Sequence, residues 1–330
     1  MNLSKRRSIS YAKYGYLFIL PFFIVYIFFQ IYPLCYTFYL STQSNGKTTT
    51  EFVGLSNFKT LLFGGGFAAK AAHDSFVRVL GNTFILWVGN FIPQIIISLL
   101  LAAWFTDAYL KIKGKGFYKI VMYMPNIITA ASVAALFVML FSDSQLGAVN
   151  SIIAKGDPTK TIPFVGGLNN EPRIMIMIIQ TWMWFGNTTI MLMSGIMGIN
   201  PSLFEAANID GASPNQQFFR ITIPLLRPIL LYTVVTSMIG GLQMFDIPYL
   251  YKNGTVVNKT TETIACYIYS NFHSTAAPNY GYSAGASVIL FFITAILGAI
   301  AFMTNRDEDP RSAHAKNSKK SSLKTKLGGV

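Results

Sequence analysis

Residues 205–224 read Glu-Ala-Ala-Asn-Ile-Asp-Gly-Ala-Ser-Pro-Asn-Gln-Gln-Phe-Phe-Arg-Ile-Thr-Ile-Pro. This polar stretch lies between two apolar runs, 174–204 and 228–245, that contain no Asp, Glu, Lys or Arg. A helix needs about 20 mainly apolar residues to cross the hydrocarbon core of a membrane. The two runs therefore predict membrane spans, the second extended by Ile221 to Leu226, and the polar stretch is expected in water beside the membrane.

The rest of the chain is equally apolar. Of its 330 residues, 52% are hydrophobic and only 12% are charged, whereas soluble domains usually carry about 25% charged residues. Further long windows without charged residues fall at 14–46, 79–106, 120–142 and 263–305. We predict an all-α, polytopic membrane fold with six transmembrane helices, near 14–40, 79–106, 117–141, 174–199, 221–245 and 283–304.

The distribution of basic residues predicts the orientation. With the N-terminus inside, 17 of the 26 Lys and Arg residues fall on the cytoplasmic side, as the positive-inside bias requires. We therefore expect a multi-pass protein of the cell membrane with both termini in the cytoplasm. Its parts are a basic N-terminal segment (1–13), a six-helix domain (14–304) that contains the cytoplasmic loop 200–220, and a basic, disordered tail (305–330).

The net charge of +13 fits basic cytoplasmic segments that face anionic lipid better than it fits a nucleic-acid partner. No charged residue lies in the centre of a predicted span, which disfavours ion pumps and proton-coupled carriers. The two cysteines and three histidines give no disulfide framework and no metal spacing. The chain also has no P-loop, nucleophile elbow or paired-histidine helix. We expect no catalytic site, no metal and no cofactor.

Uncharged polar and aromatic residues mark the fourth and fifth predicted spans. Gln180, Trp184 and Asn187 are spaced i, i+4 and i+7, which places them on one helix face. Aromatic rings cover the apolar faces of sugars, and amides exchange hydrogen bonds with hydroxyl groups. These residue types fit a neutral hydroxylated ligand, but they also fit hydrogen bonds between packed helices. Gly240 and Gly241 are similarly ambiguous, because they permit either close packing or open space beside a ligand.

The loop itself predicts a short helix followed by a turn. Ser202 is the expected N-cap, with Glu205 as its capping-box partner. Gly211 is expected to end this helix, and Pro214 to prevent an easy restart. The residue types alone are also compatible with a solvated turn at the membrane surface.

The spacing in residues 205–224 resembles a known signature. Glu-Ala-Ala, three residues, Gly, nine residues and Ile-x-Ile-Pro is similar to the loop of binding-protein-dependent ABC importer permeases, with Ile223 where leucine is commoner. Other stretches resemble the carbohydrate-importer branch of that family, and the resemblance covers about residues 14–304. These stretches are Phe204 to Pro214, Phe218 to Arg220, Phe52 to Phe58, Gly81-Asn82-Thr83, and Gly147 with Asn150.

The resemblance implies a type I permease fold and a set of partners. These are a second homologous permease subunit, two cytoplasmic ATPase subunits that bind the ATP, and an extracellular or periplasmic solute-binding protein that delivers a sugar. It also implies that the short helix of the loop transmits the ATPase movement. The residues that match the coupling loop are Glu205, Ala206, Ala207, Asp210, Gly211 and Pro224.

A gap-free alignment to the maltose permeases of the family, counted from Glu205, gives candidates for the sugar pathway. They are Gln180, Met183, Trp184 and Asn187 on span four, and Ser237, Gly240, Gly241 and Met244 on span five, to which we add Gln243. On span five only Ser237 matches in residue type. Gly240, Gly241 and Met244 replace an aromatic residue and two amides, which favours a roomier site for another oligosaccharide.

Two alternatives remain open. The first is a permease of the same family that imports a glycerol-phosphate-type solute. An anionic cargo favours Lys or Arg near the cavity, and the charge-free windows of spans four and five contain neither. The second is a self-sufficient channel or secondary carrier that uses the loop as a scaffold.

Overall fold

The computed structural model describes residues 12–44, 51–107, 110, 112–167, 169–251, 259–274 and 278–304. Among these residues, the only β pairing is an isolated antiparallel bridge between Gln43 and Phe52. The predicted tail at 305–330 lies outside the described residues, as does the N-terminal segment apart from Ala12 and Lys13.

The described residues form fifteen α-helices, with π-helical turns at Ile27–Ile31 and Phe218–Thr222 and a 3-10 turn at Pro158–Lys160. In chain order the α-helices are α1 (Ala12–Tyr26), α2 (Tyr32–Ser41), α3 (Ser56–Phe63), α4 (Gly66–Thr106), α5 (Lys115–Ile127), α6 (Ala130–Leu140), α7 (Ala148–Ala154), α8 (Glu171–Met197), α9 (Pro201–Ile209), α10 (Pro214–Gln217), α11 (Ile223–Leu225), α12 (Arg227–Leu242), α13 (Asp246–Leu250), α14 (Ile264–Phe272) and α15 (Tyr280–Thr304).

In this part of the chain, five helical segments are long and apolar enough to cross a membrane. They coincide with five of the six predicted spans, and they are Tyr14–Ser41, Ala69–Thr106, Glu171–Met197, Arg227–Leu250 and Tyr280–Met303. The pair α5 and α6 passes the same test when its two helices are taken together, which brings the number of spans to six. The all-α, polytopic fold is therefore confirmed.

The third predicted span is not one continuous helix. Its two halves, α5 and α6, meet at an angle of 93°. Ile128 ends α5 in an extended conformation, with φ −70° and ψ 137°. Pro125 removes a backbone donor in the last turn of α5, and the β-branched run Ile127-Ile128-Thr129 has little preference for helix. Hydropathy alone does not register this break, because both halves are apolar.

By internal contacts the chain divides into two compact units. The first, which we call the loop unit, comprises residues 1–86, 130–176 and 242–292. The second, the coupling unit, comprises residues 87–129, 177–241 and 293–330 and contains the loop 200–220. The division cuts through α4, α8 and α15, so each of these long helices contributes one part to each unit.

In the loop unit, buried asparagines hold the segments that connect the helices. Asn57 is only 6% exposed, and its Nδ2 donates to the carbonyl oxygens of Ser41 and Gln43, each at 2.9 Å. Two backbone acceptors that no helix uses are thereby satisfied. The segment 52–58 resembles the carbohydrate branch, and these two bonds give its Asn57 a structural role. We call such a set of bonds from one buried asparagine to distant backbone groups a clamp.

Asn150 holds the segment between α6 and α8 in the same manner. It is fully buried, and Nδ2 donates to the carbonyl oxygens of Ser142 and Ile162 at 2.8 and 2.9 Å. Its Oδ1 accepts from the Ile162 amide at 2.9 Å. Gly147 lies so close to this segment that an added Cβ would come 2.6 Å from the Ser142 carbonyl oxygen. A side chain is therefore excluded at this glycine.

Asn82, at the start of the second span, is the centre of the third clamp. Its Nδ2 donates to the carbonyl oxygens of Lys259 and Glu262 at 2.6 and 3.1 Å. Its Oδ1 accepts from Arg173 Nη2 at 2.8 Å. An ion pair between Arg78 and Glu262 at 3.1 Å lies beside these bonds. The segment that precedes α14 is thus fixed to residues on α4 and α8 within this unit.

The coupling unit has an apolar core between helices. Ala102, Leu192 and Met193 form its buried centre. Side chains from α4, α8 and α12 pack around them, namely Ile95, Leu99, Phe105, Ile196, Ile229 and Leu230. Gly186 on α8 permits an even closer approach to the backbone of α5. A Cβ added there would lie 2.5 Å from the carbonyl carbon of Met122 and 3.1 Å from the Tyr123 amide. This core fixes the helices that carry the candidate residues.

Candidate functional site

The loop helix α9 begins two positions earlier than the predicted N-cap implies. Asn200, not Ser202, is its N-cap, and Asn200 Oδ1 accepts from the Ser202 amide at 3.1 Å. The expectation of a Ser202–Glu205 capping box was therefore wrong. Asparagine caps as well as serine does, and Pro201 fits the first helical position because that position needs no donor. Glu205 consequently has no capping role.

The end of α9 follows the prediction for Gly211. This glycine has φ +74°, a left-handed conformation that side chains disfavour. The Ala212 amide donates to the Ala207 carbonyl at 2.9 Å, which closes the turn. The helix therefore ends where glycine was expected to end it.

Pro214 does not prevent a restart, and that expectation was wrong. It is the first residue of α10, which Ser213 caps in a complete capping box with Gln216. Proline is well suited to the first turn of a helix, where its missing N–H is not needed. Gln217 Nε2 then donates to Asn208 Oδ1 at 2.6 Å, which joins α10 to α9.

The residues that match the coupling signature lie almost entirely at the surface. Glu205, Ala206, Asp210, Gly211 and Pro224 are exposed, and only Ala207 is buried. The Glu205 carboxylate has no hydrogen-bond or ion-pair partner among the described residues. Large apolar side chains share this exposure, since Leu203, Ile209 and Phe219 are 45%, 88% and 65% exposed. The loop therefore exposes a charge beside large apolar side chains.

On span four, one face of α8 is bonded to α4 within the coupling unit. Three hydrogen bonds join the two helices, from Thr181 Oγ1 to Asn90 O (3.0 Å), from Ser98 Oγ to Phe185 O (2.8 Å) and from Gln94 Nε2 to Thr188 Oγ1 (2.7 Å). Thr181, Phe185 and Thr188 are spaced i, i+4 and i+7, so they form a single face. Polar contacts between helices therefore exist, but they use residues other than the predicted ones.

The predicted face lies one residue, or about 100°, around the same helix. Gln180 is 8% exposed as a whole residue; its side-chain amide has no hydrogen bond to any described residue and is not sealed from solvent. Trp184 is 46% exposed and Asn187 is half-buried. Met183 is buried. Buried amides are normally hydrogen-bonded, so Gln180 has a hydrogen-bonding capacity that the described protein groups leave unused.

The two glycines of span five differ in their surroundings. At Gly241 an added Cβ would lie 2.6 Å from Cγ and 2.9 Å from Cβ of Trp87, whereas at Gly240 it would meet nothing within 4 Å. Ser237 Oγ, one helical turn earlier, accepts from Trp87 Nε1 at 3.2 Å. Each of the two interpretations of the glycine pair therefore applies to one glycine: Gly241 permits close packing and Gly240 leaves open space.

Trp87 was not among the candidates predicted from the sequence. The available signal was a tryptophan in an uncharged span, whose indole N–H needs a partner when it is buried. Sequence spacing within α4 does not reveal that this partner is Ser237, 150 residues away. The contact between Trp87 and Ser237 therefore becomes known only from the packing of the helices.

The last two candidates, Gln243 and Met244, belong to the loop unit and follow the end of α12. Gln243 is exposed, and the Met244 side chain is 7% exposed. The Met244 carbonyl accepts from Thr263 Oγ1 at 2.7 Å. Within the described part of the chain, no three His, Cys, Asp or Glu side chains come together as a metal site would require.

Comparisons with known proteins identify the family. Residues 62–311 match the family described as "Binding-protein-dependent transport system inner membrane component". Among curated proteins, the chain is 29% identical to a lactose transport system permease protein of Rhizobium radiobacter, covering 93% of this chain and 99% of that protein. It is 26% identical to an arabinooligosaccharides transport system permease protein of Bacillus subtilis (89% and 90% covered). It is 29% identical to an sn-glycerol-3-phosphate transport system permease protein of Agrobacterium fabrum (87% and 92% covered).

Solved structures share the fold. The chain is similar to a subunit of a bacterial ABC transporter involved in the import of the acidic polysaccharide alginate, with a TM-score of 0.75, 23% identity and 90% and 96% of the two chains covered. A second structure of a bacterial alginate ABC transporter, in complex with an alginate pentasaccharide-bound periplasmic protein, gives a TM-score of 0.72 at 22% identity (89% and 94% covered). The chain is therefore a multi-pass membrane transport component and belongs to the family of inner membrane components of binding-protein-dependent transport systems.

Proposed function

We propose that this chain is a permease subunit of an ATP-driven carbohydrate importer and that its cargo is an oligosaccharide. It forms the translocation pathway with a second homologous permease, and two cytoplasmic ATPase subunits bind and hydrolyse the ATP. A solute-binding protein outside the membrane delivers the sugar. The relatives named for lactose and arabinooligosaccharides support the class of cargo, and the complex with a sugar-bound periplasmic protein supports the mode of delivery.

One observation carries the assignment of a pathway to this chain. The polar face of α8 that holds the helices together and the polar face predicted to meet the sugar are separate, and only the first is hydrogen-bonded. The Gln180 side chain is largely buried, but its amide bonds to no described residue and is not sealed from solvent. A sugar hydroxyl can therefore exchange hydrogen bonds with this amide.

The candidate residues then have distinct roles. Gln180 and Asn187 exchange hydrogen bonds with hydroxyl groups, and Trp184 covers an apolar sugar face. Ser237 and the open space at Gly240 are the proposed contribution of span five to the same pathway. Met183 and Gly241 complete the proposed pathway within the coupling unit, whereas Gln243 and Met244, which belong to the loop unit, stay candidates from the alignment alone. No residue of this chain performs catalysis.

The loop helix α9 is the element that receives the ATPase movement. Glu205 and the apolar side chains beside it are exposed at its surface. In this proposal α9 is seated in a groove of one ATPase subunit, with the loop and both termini on the cytoplasmic side, as the distribution of basic residues predicts. Closure of the ATPase pair moves α9, and the helices packed against it follow.

A glycerol-phosphate-type cargo is the second candidate, because one relative carries that name. An anion needs a cation in its pathway, and the arginine that α8 itself carries is Arg173. Arg173 Nη2 donates to Asn82 Oδ1 at 2.8 Å, and its Nε donates to the Thr260 carbonyl at 3.1 Å. This arginine is engaged in the loop unit, which favours a neutral sugar.

The test is co-purification of the importer through this chain, followed by ATPase measurement in lipid nanodiscs with the binding protein. Lactose, arabinotriose, maltotriose and glycerol 3-phosphate serve as probes. We expect stimulation by one of the sugars, and a loss of at least about tenfold in Gln180→Leu, since a buried hydrogen bond contributes about 1–3 kcal/mol.

Thr181→Val is the matched control, because it removes a bond to α4 from the neighbouring face. It is expected to lower stability and keep the sugar dependence. Glycerol 3-phosphate as the only stimulating probe would establish the second candidate. Sugar uptake by this chain alone, without ATPases or a second permease, would contradict both and indicate a self-sufficient channel or carrier.

A further inference from the structure

The turn between α3 and α4 consists of three successive glycines, residues 64–66, with φ of +69°, +138° and +73°. Side chains disfavour these backbone angles, so only glycine fits the turn without strain. The Gly64 amide donates to the Thr60 carbonyl at 3.0 Å, and His73 Nδ1 on α4 donates to the Leu61 carbonyl at 2.9 Å. The turn is thus fixed between two helices of the loop unit.

A phenylalanine stands on each side of this turn, and both side chains are exposed. Phe63 is 80% exposed and Phe67 is 95% exposed, so most of each ring is free of protein contact. A depression of about 610 Å³ lies between them, and Lys70, His73 and Asp74 border it on α4. An exposed apolar patch with a polar border is typical of a surface that binds a partner.

Lipid does not reach these rings. The charge-free part of the second span begins at Val79, and α4 continues without a break from Gly66 through this position. At 1.5 Å per residue, Phe67 lies about 18 Å before Val79 along the helix, or about 14 Å along the membrane normal at a tilt of 40°. A headgroup layer is only about 5–8 Å thick. The rings therefore lie in water, on the outer side in the orientation that the basic residues predict.

The border of the depression carries charges of both signs. Lys70 and Asp74 are exposed, lie one helical turn apart on α4, and form no ion pair with each other or with another described residue. The complementary surface therefore has an apolar side chain that enters between the rings, a carboxylate opposite Lys70 and a basic group opposite Asp74. An aromatic centre with a polar rim is typical of protein interfaces, and a neutral sugar offers no such charges.

We propose that Phe63 and Phe67, with the glycine turn between them, form a docking site for the sugar-loaded solute-binding protein. This inference rests on the proposed function, which requires a protein that binds on the outer side and leaves again in every cycle. A centre of two rings suits such a transient complex, because permanent subunit interfaces are larger and more apolar. The fixed turn also limits the backbone freedom that is lost on docking.

The experiment measures binding of the solute-binding protein to the full importer complex in nanodiscs. The binding protein is loaded with the probe sugar that stimulates ATPase activity most, from lactose, arabinotriose and maltotriose. In the double variant Phe63→Ser/Phe67→Ser we expect the Kd to rise at least about tenfold, with the maximal ATPase rate at saturating binding protein within about twofold of the parent. Leu146→Ser is the matched control, because Leu146 is 95% exposed in the same unit, and it should leave the Kd unchanged.

An exchange of the two border charges tests the complementarity. Lys70→Asp combined with Asp74→Lys keeps the net charge and both rings, and it should raise the Kd about threefold or more. An unchanged Kd would show that no opposite charges meet this border, which would overturn the argument for a protein partner.

The lipid alternative is tested with a fluorescent bimane attached to Phe67→Cys. The chain also carries Cys35→Ser, since Cys35 is exposed and Cys266 is buried. We expect spin-labelled lipid to leave the fluorescence unchanged and the binding protein to alter it. Quenching by the lipid would overturn the proposal. Loss of the second permease from the purified double variant would overturn it too, because that subunit would then be the occupant.

An equal Kd in the parent and in the double variant would overturn the docking site and leave the proposed function intact. A parent complex that bound no sugar-loaded protein and showed no sugar-stimulated ATPase activity would instead contradict the proposed function itself.

Discussion

The segments between helices are held differently in the loop unit and in the coupling unit. Asn82, in the loop unit, bonds to carbonyl groups 177 and 180 residues away along the chain. In the coupling unit, local bonds shape the segment 200–217, such as the Asn200 cap and the bond from Gln217 to Asn208, nine residues apart. Long-range clamps fix a segment to the fold, whereas local caps shape a segment and leave its outer surface open.

This difference separates stability from function. A buried clamp contributes through groups that would otherwise be unpaired, at about 1–3 kcal/mol each. An exposed helix that serves as a binding site for another protein contributes little to the free energy of folding, and its charged and apolar side chains remain accessible. Substitutions in the loop unit should therefore change stability, and those in the coupling loop should change mainly the transmission of ATPase movement.

The largest effect is expected for Asn82→Ala. The substitution leaves the Glu262 carbonyl and one Arg173 donor without their partner, while the Lys259 carbonyl keeps its bond from Arg78, and we expect a loss of about 2–4 kcal/mol. Thermal unfolding in nanodiscs measures it. Asn215→Ala, at an exposed position of α10, is the control and should stay within about 0.5 kcal/mol. Equal effects of the two would remove the distinction between clamp and surface.

Gly211→Val is next in size. Gly211 has φ +74° and nothing within 4 Å of an added Cβ, so only backbone strain opposes a side chain, at about 1–2 kcal/mol. We expect this modest loss of stability together with a large loss of ATP-coupled uptake. Gly298→Ala also enters open space, but without a left-handed φ, and should be neutral. Normal uptake by Gly211→Val would show that the turn is not part of the coupling.

Asn200→Ala removes the cap of α9 and should cost about 1 kcal/mol. The side chain bonds only to the Ser202 amide next to it, so no distant segment is released. A loss as large as that of Asn82→Ala would show that local caps hold this loop as firmly as clamps do. The same thermal unfolding assay compares the two variants.

The smallest effect is a pH dependence at the Arg78–Glu262 pair. Burial raises the pKa of Glu262 above 4.5, opposed by the Arg78 charge. Because the folded state then binds the proton more tightly, the contribution of this group to stability is full below pH 4.5 and falls as pH rises through the folded pKa. Between pH 4 and 7, this group should therefore lower the unfolding temperature of the parent as pH rises. Glu262→Gln should not show that decrease.

Asp157 provides the opposite sign as a control. The hydrogen bond from the Thr159 hydroxyl, aided by the Thr159 amide, lowers the pKa of its carboxyl. Its contribution to stability is therefore present at neutral pH and lost as pH falls through the folded pKa. If the difference in unfolding temperature from the parent changed with pH in the same direction for Glu262→Gln and for Asp157→Asn, both assignments would be contradicted.

Much of the architecture followed from the sequence. Charge-free windows located the spans because hydrocarbon excludes charge wherever a helix crosses it. The spacing around Glu205 and Gly211 indicated the family that the match over residues 62–311 then confirmed. The N-cap at Asn200, the restart at Pro214 and the break at Ile128 were not anticipated, because several residues near each boundary were equally suitable on local preference alone.

For the candidate site too, some features could be predicted from the sequence and others depend on the packing of the helices. Helical periodicity alone placed Gln180, Trp184 and Asn187 on one face, because that relation is local. It did not show that Thr181 and Thr188, on the neighbouring face, bond α8 to α4, or that Trp87 fills the space at Gly241. Such contacts join residues that are far apart in sequence, and only the packing of the helices in three dimensions decides which side chains are used for stability and which remain for a ligand.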